Sequence, residues 1–187
     1  MINYLRLGKS LEYYEKKGYQ RLEAPWWVPS GIMNITKPKE VDPNEMGYFL
    51  PKNQKELVAS GEQSLLYLAN QGLLPKGKYQ TITPCFRNEI QGPVRRKFFM
   101  KNELMIAGSQ KETDLKKIID DAYKFFKTEV PDKKILEVIK TEQGYDIEYK
   151  GIELGSYGIR SCSFLDWIYG TGLAEPRFSR ALNIAKK

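Results

Sequence analysis

Histidine does not occur anywhere in the 187 residues, which removes the commonest general base and the commonest zinc ligand together. A Ser-His-Asp hydrolase is excluded. Cysteine occurs twice, as Cys85 and Cys162, too few for the disulfide framework of a small secreted domain, so reduced thiols are expected. Long apolar runs are missing as well. The longest, Leu65–Leu68 and Ile135–Ile139, fall far short of the ~20 residues a membrane span requires. Met1–Gly8 carries no apolar signal region, so a cytoplasmic chain without a membrane partner is expected. There is no Gly-x-x-x-x-Gly-Lys phosphate loop and no internal repeat.

What is present is ample material for one core. Apolar residues make up 41% of the chain, with eight Phe, twelve Tyr and three Trp, and the length suits a single domain over residues 1–187. A net charge of +7 points to anionic partners, either a polyphosphate held inside or a nucleic acid held outside. Hydrophobic spacing predicts helices over Asn3–Lys17, Glu56–Gln71, Glu112–Lys127 and Pro176–Ala185. The helix from Glu112 is the most clearly amphipathic, with Leu115, Ile118, Ile119, Ala122, Phe125 and Phe126 at three- and four-residue spacing. Strands are predicted over Tyr79–Glu89, Phe98–Ala107, Ile135–Lys140, Tyr145–Tyr149 and Ile152–Ser156. Tyr19–Leu22 and Ala24–Pro29 read as extended, at a sheet edge or interface, because two prolines oppose helix there. Residues Lys37–Pro43 read as a loop rich in proline and lysine. Antiparallel strands with helices interspersed make an α+β domain.

The informative segment is Thr83-Pro84-Cys85-Phe86-Arg87-Asn88-Glu89, then a basic loop over Ile90–Lys97, then Phe98 to Glu103. On strands, Arg87 and Glu89 share one face, as do Phe99, Lys101 and Glu103. Pairing the two strands would gather an arginine, two acids and an aromatic ring beneath a basic loop, the outline of a nucleoside triphosphate site. Arg87 can grip a phosphate, Arg95 can reach further along the tail, and the Phe99 ring can stack on a base. An ordinary cross-strand ion pair beside a core phenylalanine would give the same local pattern.

Phe86-Arg87-x-Glu89, a short loop and Arg95-x-x-x-Phe99 resemble motif 2 of the class II aminoacyl-tRNA synthetases, closest to the seryl type in its flanks. Gly170-Thr171-Gly172-Leu173-Ala174-Glu175-Pro176-Arg177 resembles motif 3 of that branch, and Gly18-Tyr19 through Pro25 resembles motif 1, which lies at the family's dimer interface. The resemblance implies an antiparallel β-sheet flanked by helices and a homodimer formed through the Tyr19–Pro29 region. It also implies adenylation of an amino acid or similar carboxylate with ATP and Mg²⁺. ATP would be held by Arg87, Glu89, Arg95, Phe99, Gly172 and Arg177, with Arg87 and Arg177 acting catalytically. Gly172 would let the backbone approach the nucleotide.

Ser60-Gly61-Glu62 is similar to the family's Thr-x-Glu loop, so Ser60 and Glu62, together with Glu103, are implied at the amino-acid site. The same residues could equally be a helix-start signal. Glu153-Leu154-Gly155-Ser156 resembles the seryl-type Glu-x-x-Ser that holds Mg²⁺, which assigns the metal to Glu153 and Ser156. Alternatively, Glu153 is a solvent-facing strand acid. In relatives that bind zinc at the amino-acid site, Cys162 and Glu103 would be two of the ligands, but another cysteine is needed where this chain has Ala59 or Ser60. At this length the chain is expected to carry neither the family's helical arm nor its anticodon-binding domain. The acceptor is therefore open between tRNA, an RNA fragment, a carrier protein and a small molecule. A catalytically silent synthetase-like regulatory module, or an RNA-binding one using Arg95–Lys101, stands as the alternative.

Overall fold

The structure is a computed structural model that describes residues 1–37, 47–50 and 54–184. Helix α1 (Tyr4–Lys16) starts where the Asn3 side chain accepts a hydrogen bond from the Arg6 amide at 2.9 Å. It stops before Gly18, whose φ of +84° few other residues tolerate. The chain then runs through β1 (Gln20–Arg21), β2 (Trp27–Pro29), the short helix α2 (Ser30–Thr36), β3 (Tyr48–Leu50), β4 (Lys55–Leu57) and helix α3 (Gly61–Asn70). Two long strands, β5 (Gly77–Phe86) and β6 (Phe98–Ala107), precede helix α4 (Glu112–Glu129). Strands β7 (Leu136–Thr141), β8 (Gly144–Tyr149), β9 (Ile152–Ser161) and β10 (Asp166–Glu175) follow, and helix α5 (Arg177–Ile184) ends the described chain.

Seven strands form one sheet in the order β1-β5-β6-β10-β9-β8-β7, antiparallel except for the β1–β5 pair. A small antiparallel sheet, β2-β4-β3, lies beside it. The fold is α+β, as the sequence predicts, and β1 and β2 both occupy sheet edges. Among the described residues no helix is long and apolar enough to cross a membrane.

The two-residue period of β6 divides the molecule. Asn102, Leu104 and Ile106 face α1 and α4, where the larger core gathers Tyr14, Ile118, Phe126 and Tyr157. Met105 and Ala107 face α2 and α3 and belong to a second core with Leu65, Leu66 and Trp167. Phe99, Lys101 and Glu103 continue that second face past the end of the apolar packing, and there Phe99 and Lys101 floor a cleft.

Three expectations shift. The helix predicted over Glu56–Gln71 divides into β4 and α3, because Glu56 is buried in a strand that pairs with both β2 and β3, and Ser60 caps the helix that follows. The side-chain oxygen of Gln63 accepts from the Ala59 and Ser60 amides at 2.8 and 2.9 Å, half of a capping box. Strand β5 ends at Phe86 rather than Glu89, so Arg87 and Glu89 sit on the loop; only the bond from the Arg87 amide to the Lys97 carbonyl, 2.8 Å, extends the ladder. Strand β9 runs five residues beyond Ser156, to Ser161. Most of the Lys37–Pro43 loop, and Ala185 of the closing helix, lie outside the described residues.

Candidate active site

A cleft of about 320 Å³ lies on the α3 face of the sheet. Its floor is β6, where Phe99 and Lys101 line the cleft and Glu103 is buried beside Lys101. Ser60 and Glu62 enter from the start of α3, and Arg87, Glu89 and Arg95 from the loop between β5 and β6. Glu153, Ser156 and Arg160 come from β9, and Arg177 is the first residue of α5. Of the residues assigned to the site from sequence, two do not line the cleft: Glu103 is fully buried against Lys101, and Gly172 lies on the other face of the sheet.

Two buried carboxylates define one end. Glu103, fully buried, takes Lys101 Nζ at 3.0 and 2.9 Å and accepts a short hydrogen bond from the Ser60 hydroxyl, which lies 3.3 Å from the same ammonium. This pairing follows from the strand, since residues two apart share a face. Glu62 accepts from Arg160 Nη1 at 2.9 and 2.7 Å and from the Trp167 indole N–H at 2.8 Å. Burial pushes the Glu62 carboxyl above the usual range, with the Arg160 guanidinium working against it. The segment Ser60-Gly61-Glu62 opens a helix, and its Ser60 and Glu62 side chains also line the cleft.

At the other end, the Arg87 guanidinium lies 5.1 Å from the Phe99 ring centre, donates from Nε to the Ala59 carbonyl at 3.1 Å, and has Glu89 at 3.8 Å. The arginine is thereby fixed from three sides with its charge directed at the cleft. Arg177 Nη1 donates to Glu153 Oε1 at 2.6 Å, joining the two walls. Glu153 and Ser156 reach the same side of β9, although three residues apart, because the β8–β9 register skips Leu154, which turns into the core behind. Asp146 is the cross-strand partner of Ser156, whose backbone amide donates to Thr171 Oγ1 at 3.4 Å.

Gly172 faces the opposite side of the sheet. A Cβ there would stand 2.9 Å from Tyr14 Cε2, and its carbonyl accepts from the Tyr14 hydroxyl at 3.0 Å. Its small size is explained by helix packing and not by approach to a nucleotide. For the zinc reading, the Glu103 carboxylate is taken by Lys101 and Ser60, and among the described residues no group of three or more Cys, Asp or Glu is placed to hold a metal. Burial pushes the Cys85 thiol up to about 11, away from thiolate chemistry.

Sequence reasoning gave no role to Arg160, Tyr169 or Asp146. Arg160 lies beyond the predicted end of β9, and its guanidinium sits 4.1 Å from the Tyr169 ring centre. The one signal for it was positional, since Ser156, Gly158 and Arg160 alternate along the strand.

This architecture recurs in solved structures. The pyrrolysyl-tRNA synthetase of Desulfitobacterium hafniense superposes with a TM-score of 0.73 at 17% identity, over 97% of this chain and 68% of that one. The seryl-tRNA synthetase of Pyrococcus horikoshii, complexed with ATP, gives 0.72 at 18% identity, over 95% of this chain and 49% of that one. The chain has the fold of a class II aminoacyl-tRNA synthetase catalytic domain. The cytoplasmic serine-tRNA ligase of Naegleria fowleri, in complex with AMP, gives 0.70 at 17% identity, over 95% and 52% of the two chains. The synthetase-like domain thus spans about half the length of the seryl enzymes and two thirds of the pyrrolysyl one. Its sequence matches no protein-family model and no curated protein.

Proposed function

We propose that this synthetase-like cleft activates an amino acid, or a similar carboxylate, by joining it to AMP. The observation that carries the reading is convergence. Arg87, Arg95, Phe99, Glu153 and Arg177, from segments far apart in sequence, meet at one end of a single cleft, and Ser60 and Glu62 line the other, with Glu103 buried behind Ser60 and Lys101. An oxygen of the substrate carboxylate attacks the α-phosphorus of ATP, the bond to the bridging oxygen breaks, and pyrophosphate leaves. No general base is required, because a carboxylate is ionised at neutral pH. The absence of histidine is therefore no obstacle.

Arg87, held by Phe99, Ala59 and Glu89, stabilises charge at the α-phosphate. Arg95 and Arg177 take the β and γ groups, Arg177 exchanging Glu153 for phosphate. Glu62 has about four acceptor positions and uses three on Arg160 and Trp167, which leaves about one for a substrate ammonium. Glu153, Asp146 and Ser156 form an oxygen-only set, the donor chemistry a hard cation prefers. They would hold Mg²⁺ jointly with the phosphates, where the ion offsets the charge of the triphosphate.

Hydroxylamine trapping is a direct test. With ATP, Mg²⁺ and the right carboxylate, the wild-type chain should form the corresponding hydroxamate. A folded sample that binds ATP yet traps nothing from any amino acid would favour the silent regulatory module.

A further inference from the structure

The loop between β5 and β6 carries Arg95, but little in the loop itself fixes where Arg95 stands. Its base is tied by the Arg87–Lys97 backbone bond and by Lys97 Nζ to Asn88 Oδ1 at 3.0 Å. Its arms are joined by Arg96 Nη1 to Gln91 Oε1 at 2.9 Å and by the Gly92 amide to the Arg95 carbonyl at 3.3 Å. Apolar anchoring is absent at the tip, where Ile90 is 92% exposed. Segments held this way open locally at low free energy. Among the described residues, the hydrogen bonds that tie residues 90–95 to anything outside the loop come from one side chain. Arg180 Nη1 donates to the Pro93 carbonyl at 2.6 Å and to the Gly92 carbonyl at 3.4 Å.

Arg180 stands three residues after Arg177 on α5, so the two share a helix face. One helix therefore presents Arg177 to the cleft and Arg180 to the loop above it. A small crevice between them is lined by Val94, Arg95 and Arg177. We propose that Arg180 is a positioning residue that clamps the loop tip to α5 and thereby fixes Arg95 opposite Arg177 at the phosphate end of the cleft. This rests on the nucleotide reading of that cleft. The clamp acts through backbone carbonyls, so it does not depend on which side chains the tip carries.

The test compares wild type, Arg180→Gln and Arg180→Lys. Trypsin cleavage after Arg95, Arg96 and Lys97 reports how often the loop opens, and calorimetric titration with ATP reports phosphate-end affinity. Losing a charged donor to two carbonyls in a half-exposed position should speed loop cleavage about tenfold and weaken ATP binding about tenfold in R180Q. The thermal midpoint and the amino-acid affinity should stay unchanged, with R180K intermediate because an ammonium can still donate to one carbonyl. R180K also keeps the comparison usable should R180Q lower the thermal midpoint. Unchanged loop cleavage in R180Q would overturn the clamp. Faster cleavage with unaltered ATP affinity would overturn its positioning role. A wild-type chain that binds no ATP would instead sink the functional reading, while the cleavage rates still decide the clamp.

Discussion

At the scale of single residues, Glu62 joins the site's chemistry to pH. Its carboxyl is raised by burial, so as pH falls it takes up a proton earlier than an ordinary glutamate, and a substrate ammonium then loses its counter-charge. The amino-acid KM should therefore climb on the acid side while the ATP KM stays flat. A pH profile of both constants checks this, and Glu62→Gln should remove the acid limb. Arg87 acts through a fixed charge held in place by Phe99, Ala59 and Glu89. Replacing it with alanine should slow adenylation about 100- to 1000-fold, the effect of deleting one preorganised donor, with little change in the fold. Most of these residues were legible in the sequence, because Arg87, Glu89, Arg95 and Phe99 lie within one short stretch. Arg160 and Asp146 were not, because what gives them a role is a partner on another element, Glu62 of α3 for Arg160 and Ser156 of β9 for Asp146, and no local spacing encodes that.

At the scale of elements, the contrast between Gly172 and Glu153 shows where spacing misleads. A glycine in a motif-like strand reads as room for a ligand, yet Gly172 is small because Tyr14 of α1 packs on it. Gly172→Ala should cost about 1–3 kcal/mol from overpacking, seen as a lower urea midpoint, and should leave ATP affinity unaltered. Glu153 and Ser156, three apart, belong on opposite faces of a regular strand, and only the irregular β8–β9 register brings them together. Docking of α1 against β10 and α4 depends on a pair that pattern reading passed over. Arg6 Nη1 meets the fully buried Glu175 at 2.6 Å, and its Nε meets Glu129 at 3.0 Å. Arg6→Met should destabilise the protein by about 3 kcal/mol by leaving Glu175 uncompensated. The double variant Arg6→Met/Glu175→Leu should recover part of that loss in the same urea titration, which separates the buried charge from lost packing.

At the scale of the whole molecule, the helices α1 and α4 were readable because each buries one face along its length, and β6 because it is an apolar-rich run buried on both faces. The β4–α3 boundary was not, since its apolar residues continue across a change of geometry set by Ser60 and by pairing with β2 and β3. The edge segment Tyr19–Pro29 leaves Trp26 56% and Trp27 38% exposed, which supports the proposal that two copies associate there. Sedimentation should give a dimer that Trp26→Ser/Trp27→Ser dissociates, and a wild-type monomer at high concentration would refute it. The central claim is that this cleft transfers AMP to a carboxylate, and the most direct measurement is amino-acid-dependent exchange of labelled pyrophosphate into ATP. Run with Mg²⁺ against all twenty amino acids, it should show exchange with a restricted set that falls at least a hundredfold in Arg87→Ala. Exchange that is absent throughout in a folded, ATP-binding sample, or that persists undiminished in Arg87→Ala, would contradict it.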